Sequence, residues 1–95
     1  MSAYQLTYSS KFKKDFKKIQ NNAKALEKTT MVFKYLLEGG VSLVPKKMRP
    51  HLLIGNYKDH WECHILPDLL LIWQQDELNK EIILVRIGSH AELFK

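Results

Sequence analysis

The fold turns on the stretch His60-Trp61-Glu62-Cys63-His64-Ile65-Leu66-Pro67-Asp68-Leu69-Leu70-Leu71-Ile72-Trp73. From His60 to Ile65 its character alternates, with His60, Glu62 and His64 on one side and Trp61, Cys63 and Ile65 on the other. A period of two is that of an extended chain, whose successive side chains point to opposite faces. Pro67-Asp68 signals a tight turn, because proline presets its φ and aspartate bonds readily to nearby backbone. The apolar run Leu69–Trp73 then reads as a second strand returning beside the first.

Downstream, Asp76 to Lys80 is a polar connection, and Ile82 to Ile87 is a last strand. Its near-continuous apolar character suits a central position covered on both faces. The tail from Ser89 to Phe94 reads as too short for a packed element of its own. Upstream, His51 to Ile54 is a short extended stretch stopped by Gly55-Asn56. Val41 to Pro50 reads as a loop punctuated by Pro45 and Pro50 and carrying Lys46, Lys47 and Arg49.

In the first forty residues the period changes. Tyr4, Leu6 and Tyr8 alternate with Gln5 and Thr7, as in a strand. Ser9 and Ser10 offer helix N-caps. Phe12, Phe16 and Ile19 then form one apolar stripe of a helix, and Lys11, Lys14 and Lys18 line another face. Asn21-Asn22 is a break. A second helix follows, with Leu26, Phe33 and Leu37 on its stripe and Gly39-Gly40 at its end. The order predicts a single α+β domain over residues 1–95. It comprises an N-terminal strand, an antiparallel two-helix hairpin and a three- or four-stranded antiparallel sheet. The helices lie on one face, leaving the other face, or a groove along it, for function.

Charge and composition narrow the function. Cys63 is the only cysteine, so no disulfide forms within the chain, which suits a reducing compartment. The opening Met-Ser-Ala-Tyr-Gln-Leu lacks the pattern of a secretory leader. The longest apolar run, Leu69–Trp73, is far too short to span a bilayer. A soluble cytoplasmic protein without membrane contact is expected. Residues 1–50 carry eleven Lys/Arg and three Asp/Glu, or +8, while residues 51–95 carry four and seven, or −3, summing to the net +5. The first half is suited to a polyanion or an acidic partner, although a solvated lysine-rich helix without a partner has the same composition. All four histidines, His51, His60, His64 and His90, lie in the second half.

Four histidines invite a metal site, but the spacing argues against one. Four residues of strand span about 13 Å, whereas two zinc ligands each lie roughly 2 Å from the metal. His60 and His64 therefore do not share an ion, and Cys63 points away from His64. No metal and no other cofactor is expected. Acid–base cleavage of RNA fits better. The ribose 2′-hydroxyl attacks the next phosphate, and the enzyme supplies a base, an acid for the leaving 5′ oxygen and a cation. Histidine, with an unperturbed pKa of about 6.5, serves as either acid or base near neutrality. Asp68 can take a proton or orient an imidazole, and Arg86 offers a planar fork for phosphate oxygens. His64 and Asp68 flank one turn, and Arg86 and His90 flank the end of the last strand, so adjacent pairing would bring them together. Each also has a plainer reading: Asp68 as a turn residue, His51 at a strand edge, Arg86 paired with a carboxylate, Phe94 in the core.

Three segments together resemble the YafQ branch of the RelE/ParE toxin superfamily: His51-Leu52-Leu53-Ile54-Gly55-Asn56, Glu62-Cys63-His64-Ile65-Leu66-Pro67-Asp68, and Arg86-Ile87-Gly88-Ser89-His90-Ala91-Glu92-Leu93-Phe94. They match its H-x-L-x-G, E-C-H-I-x-P-D and R-x-G-[ST]-H-x-[DE]-L-F pattern over about the last 45 residues. The resemblance implies a type II toxin, an endoribonuclease that cuts message in the ribosomal A site and is restrained by a cognate antitoxin. It implies a catalytic set of His51, His64, Asp68, His90 and Phe94. His90 would be the proton donor, Asp68 and His64 would handle the 2′ proton, His51 would support the transition state, and Phe94 would stack. Arg86 would meet the phosphate, and Lys46, Lys47, Arg49, Lys11, Lys14 and Lys18 would lie along RNA, including ribosomal RNA. The other implied partners are the ribosome, its message and, only through the antitoxin, operator DNA.

One position departs from the pattern, because His60-Trp61 stands where that branch carries Tyr-Arg before Glu62. By alternation Trp61 faces with Cys63 and Ile65 and is expected to pack. Two other readings share the fold: a ParE-like toxin directed at DNA gyrase, and a catalytically weak member acting mainly as an antitoxin-bound co-repressor. Relatives of the first kind do not carry the His64, Asp68 and His90 set. A generic RNA-binding module would not carry three matched segments.

Overall fold

The computed structural model describes residues 2–94. Strand β1 (Gln5–Tyr8) leads into helices α1 (Ser10–Ile19) and α2 (Ala23–Gly39), followed by strands β2 (His51–Leu52), β3 (Trp61–Leu66), β4 (Leu69–Asp76) and β5 (Glu81–Gly88) and a short helix α3 (His90–Leu93). The strands form one sheet in the order β1-β5-β4-β3-β2. Among themselves the four later strands pair antiparallel, as expected. The sheet is nevertheless five-stranded and mixed, because β1 joins it parallel to β5, pairing Gln5 with Glu81 through Tyr8 with Leu84. The hairpin α1–α2 between β1 and the later strands is long enough to carry the chain across for that parallel pairing.

Both predicted helix starts carry caps. The Ser9 hydroxyl accepts from the Phe12 amide at 3.0 Å, and the Asn22 side chain accepts from the Ala25 amide at 3.0 Å. Phe12 is buried, with Phe16 and Ile19 packed beside it. The apolar stripe of α2 is rotated by about one position from the expected Leu26, Phe33 and Leu37: its buried line is Ala25, Thr29, Val32 and Leu36. Small residues at Ala25 and Thr29 let the helix approach the sheet closely, while Leu26, Phe33 and Leu37 flank the contact half-buried. The helix stops where Gly40 adopts φ 63, left-handed backbone that favours glycine.

The two faces of the sheet have separate cores. Cys63, Ile65, Leu71, Trp73, Ile82, Leu84 and Ile87 face the two long helices, with Trp61 packed at the margin, so the alternation read in β3 holds. Leu70 and Ile72 face the other way and are covered by Leu93, Leu53, Tyr57 and Val85. The most buried strand is β4, whose Leu69–Trp73 are all buried, rather than the last strand. In β5 the register against β4 shifts by one residue between Arg86 and Leu84. This bulge at Val85 lets Ile82 and Leu84 below it, and Ile87 above it, all reach the helix face despite their opposite parity.

The tail also differs from expectation. It folds as α3 on the sheet face away from the long helices, held by a capping box in which Ser89 and Glu92 bond each other's backbone amides. Burial of Leu93 against Leu70 and Ile72 gives the short helix the core contact that its length alone would not supply. The Val41–Pro50 segment contains two single turns of tight helix, Gly40–Leu43 and Lys46–Met48. Among the described residues no helix is long and apolar enough to cross a membrane.

Candidate active site

The sheet face carrying Leu70 and Ile72 collects the chemistry-bearing residues. Parity alone places Glu62 and His64 of β3 on it, opposite Ile72 and Leu70. Pairing of β2 with β3 sets His51 opposite Glu62. The result is a buried carboxylate between two imidazoles: His51 Nε2 lies 3.2 Å and His64 Nε2 3.9 Å from Glu62 Oε1. The His51 and His64 rings stand 6.4 Å apart. On its other side His51 Nδ1 meets the Arg49 carbonyl at 2.7 Å, which fixes the ring at both nitrogens. Arg49 itself adopts φ 55, unusual for a residue with a side chain. Glu62 is 5% exposed, and its Oε2 has no hydrogen-bond partner.

The second group forms where the Pro67-Asp68 turn meets the start of α3. Leu66 pairs with Leu69, so only Pro67 and Asp68 make the hairpin loop, as the turn signal predicts. Asp68 Oδ1 accepts from the His90 backbone amide at 3.2 Å, tying the β3–β4 turn to the helix that carries His90. The His90 and Phe94 rings lie 4.8 Å apart, and Phe94 meets Tyr57 edge-on at 5.9 Å. His64, Leu70 and Gly88 form one row across β3, β4 and β5. At a strand spacing of about 4.8 Å, that row puts the backbone of His64 roughly 10 Å from the segment leading to His90. The expected set His51, His64, Asp68, His90 and Phe94 therefore shares one end of one sheet face.

Arg86 shares the face but has a partner of its own. Its Nε and Nη2 donate to Asp15 of α1 at 2.7 and 3.2 Å, and the same Asp15 accepts from the Ile87 amide at 3.1 Å. The Asp15 hydrogen bond, aided by Tyr57, raises the arginine's pKa against the opposing effect of burial. The carboxylate pairing weighed from the sequence is thus present, and an incoming phosphate would meet only the remaining edge of the guanidinium. Beside it, the Ser9 hydroxyl donates to the Val85 carbonyl at 2.8 Å. Asp15 of α1 and the helix's N-cap Ser9 thus satisfy the edge of β5 beyond the end of β1.

Lys11, Lys14, Lys18, Lys46, Lys47 and Arg49 are all exposed. Lys18 reaches within 3.8 Å of Glu92 on α3. Among the described residues no group of three or more His, Cys, Asp or Glu side chains is arranged to hold a metal ion.

Three site residues lie outside the set expected from the sequence. Glu62 had a legible signal, since it shares the parity of His64. Asp15 also had one, because it lies three residues after Phe12 on the apolar side of an otherwise lysine-rich helix. Tyr57 had none, since its loop has no periodicity.

The family model for bacterial toxins of type II toxin–antitoxin systems, YafQ, matches residues 4–95. The chain belongs to the YafQ toxin family. The mRNA interferase toxin YafQ of Escherichia coli K12 is 30% identical over 89 residues, covering 94% of each chain. Among solved structures, YafQ from E. coli BL21(DE3) superposes with a TM-score of 0.85 at 27% identity, over 97% of this chain and 99% of that one. YafQ in the E. coli DinJ–YafQ complex superposes with a TM-score of 0.83 at 28% identity, over 97% and 99%. Within this YafQ-family chain, Trp61 packs on the helix side of the sheet, away from the histidines.

Proposed function

We propose that this toxin is an mRNA interferase, an endoribonuclease that cuts message in the ribosomal A site by acid–base catalysis through its own side chains. The observation that carries the reading is the bond between Asp68 and the His90 amide, which joins two sequence-distant members of the acid–base set beside His64. In the reaction the 2′ oxygen bonds to the adjacent phosphorus, and its proton passes to His64 or Asp68. The bond from phosphorus to the 5′ oxygen breaks, and His90 protonates that oxygen, leaving a 2′,3′-cyclic phosphate and a free 5′-hydroxyl. His51 and the remaining edge of Arg86 steady the charge on the phosphate, and Phe94 stacks on a base. Glu62 acts through its neighbours, holding His51 and His64 in orientation.

Exposed Lys11, Lys14, Lys18 and Lys46 supply sequence-independent contacts to ribosomal RNA. An acidic antitoxin is the natural restraint. An apolar groove of about 430 Å³ between β1 and α1, with Lys13 and Lys17 on its lining, supports such a partner. Operator DNA would be met only through that antitoxin, and the site of action would be the cytoplasm.

The test is induction in bacteria with mapping of message 5′ ends, beside His90→Ala. New in-frame cuts in translated regions are expected, with loss of the acid lowering cleavage about 10²–10⁴-fold. Growth arrest without cuts would refute the reading and move a gyrase-directed activity forward. Soluble, folded protein with no effect would point to a co-repressor role.

A further inference from the structure

Beside His64, along the part of β3 that two-residue β2 leaves unpaired, the chain encloses a groove of about 480 Å³. That volume falls within the about 300–1,000 Å³ usual for small-molecule clefts. Helix α2 contributes Lys28 and Tyr35, and the Lys46–Met48 turn and its successor contribute Lys47 and Arg49. His64 is itself one of the lining residues, and none of them is acidic. Met48 and Ile65, 7% and 5% exposed, give an apolar floor. The groove is tied to the acid–base set twice, through His64 and through the Arg49 carbonyl that holds His51.

A flat aromatic side chain, an apolar floor and three cations match one nucleotide of single-stranded RNA. The base lies against the ring and floor, and the phosphate meets the charges. A ribosomal duplex backbone would need the charges but not the aromatic wall or the floor. We propose that this groove holds the message nucleotide next to the scissile phosphate. Lys28 and Tyr35 then become substrate-binding residues, and the groove helps decide which base is accepted beside the cut. The inference rests on the ribonuclease reading for the identity of its ligand.

The test is an amide-shift titration of the ¹⁵N-labelled protein with 2′-O-methyl RNA trinucleotides, which bind but are not cut. Shifts are expected at Lys28, Tyr35 and Leu66. Lys28→Ala should weaken binding about fivefold and reduce the dependence of log K on log salt by about 0.7, one phosphate's worth on a single strand. Lys34→Ala, exposed on the same helix but outside the groove, should do neither. Tyr35→Leu should erase differences between trinucleotides that vary in one base. Equal effects of Lys28→Ala and Lys34→Ala, shifts confined elsewhere, or no binding at all would overturn the proposal. Trinucleotide binding in the groove without cleavage of translated message would uphold the groove and sink the ribonuclease reading. In-frame cleavage undiminished by Lys28→Ala and Tyr35→Leu would do the reverse.

Discussion

Replacing Asp15 with alanine should destabilise the protein far more than alanine at any of the exposed lysines on the same helix. The carboxylate is 8% exposed and accepts three hydrogen bonds: Arg86 Nε at 2.7 Å, Arg86 Nη2 at 3.2 Å and the Ile87 amide at 3.1 Å. Breaking a buried pair by removing one partner costs about 3–5 kcal/mol. The Arg86 side chain keeps 18% exposure, so water solvates part of the stranded guanidinium and the lower end applies. The orphaned Ile87 N–H adds about 1 kcal/mol. A total of about 4 kcal/mol follows from those two terms, or roughly 16 °C or more in Tm at the about 4–8 °C per kcal/mol of a domain this size.

Asp15→Asn keeps an acceptor for the Ile87 amide and should cost about 2 kcal/mol. Adding Arg86→Met to Asp15→Ala should recover stability, because no charge is then left unpaired. Urea unfolding followed by tryptophan fluorescence reads all three, since Trp73 is fully buried. A loss below about 1 kcal/mol for Asp15→Ala, or no recovery in the double variant, would show that the pair is not the latch between α1 and the bulged end of β5.

Glu62→Gln should lower cleavage about tenfold by loosening His51 and His64, with stability unchanged or raised, because the buried Oε2 it replaces has no partner. A rate equal to the parent's would remove Glu62 from the positioning role. Burial, with a smaller push from Glu62, raises the Cys63 thiol to about 12, so a thiol reagent at pH 8 should label it only on unfolding. Rapid labelling of the native protein would contradict that burial. Hydrogen bonds from Gln75, then Tyr4, then Lys80 hold the Glu77 carboxyl below its ordinary 4.5. A folded-state pKa that is depressed adds stability above the unfolded value, and that contribution is lost as pH falls through the folded one. The denaturation midpoint should therefore fall on acidification below about 4.5, and Glu77→Gln should flatten that dependence.

Legibility of the site depends on the kind of signal each residue carries. His64 and Glu62 fall legibly on a common face because alternation within one strand is a local property. The Pro67-Asp68 turn put Asp68 at the hairpin tip for the same reason, and Ser9 and Asn22 announced their helices by cap chemistry. The buried line of α2 is not legible in the sequence, since Ala25 and Thr29 are neither large nor strongly apolar and only the approach of the sheet makes them core. The tail reads as too short to pack because its stability comes from Leu93 on Leu70 and Ile72, contacts about twenty residues away in sequence.

By itself the sequence determined the order of strands and helices, the faces of β3, the basic first half and the three segments that mark a YafQ-type toxin. All of these depend on spacing along the chain. Tertiary structure alone decided that β1 closes the sheet parallel to β5, and that a bulge at Val85 changes the parity of the last strand. It also decided that Arg86 meets Asp15 before any phosphate, and that Asp68 bonds the start of His90's helix. These are pairings between residues 11 to more than 70 positions apart. Their register is set by how two separate cores fill with side chains, which periodicity within any one segment does not specify.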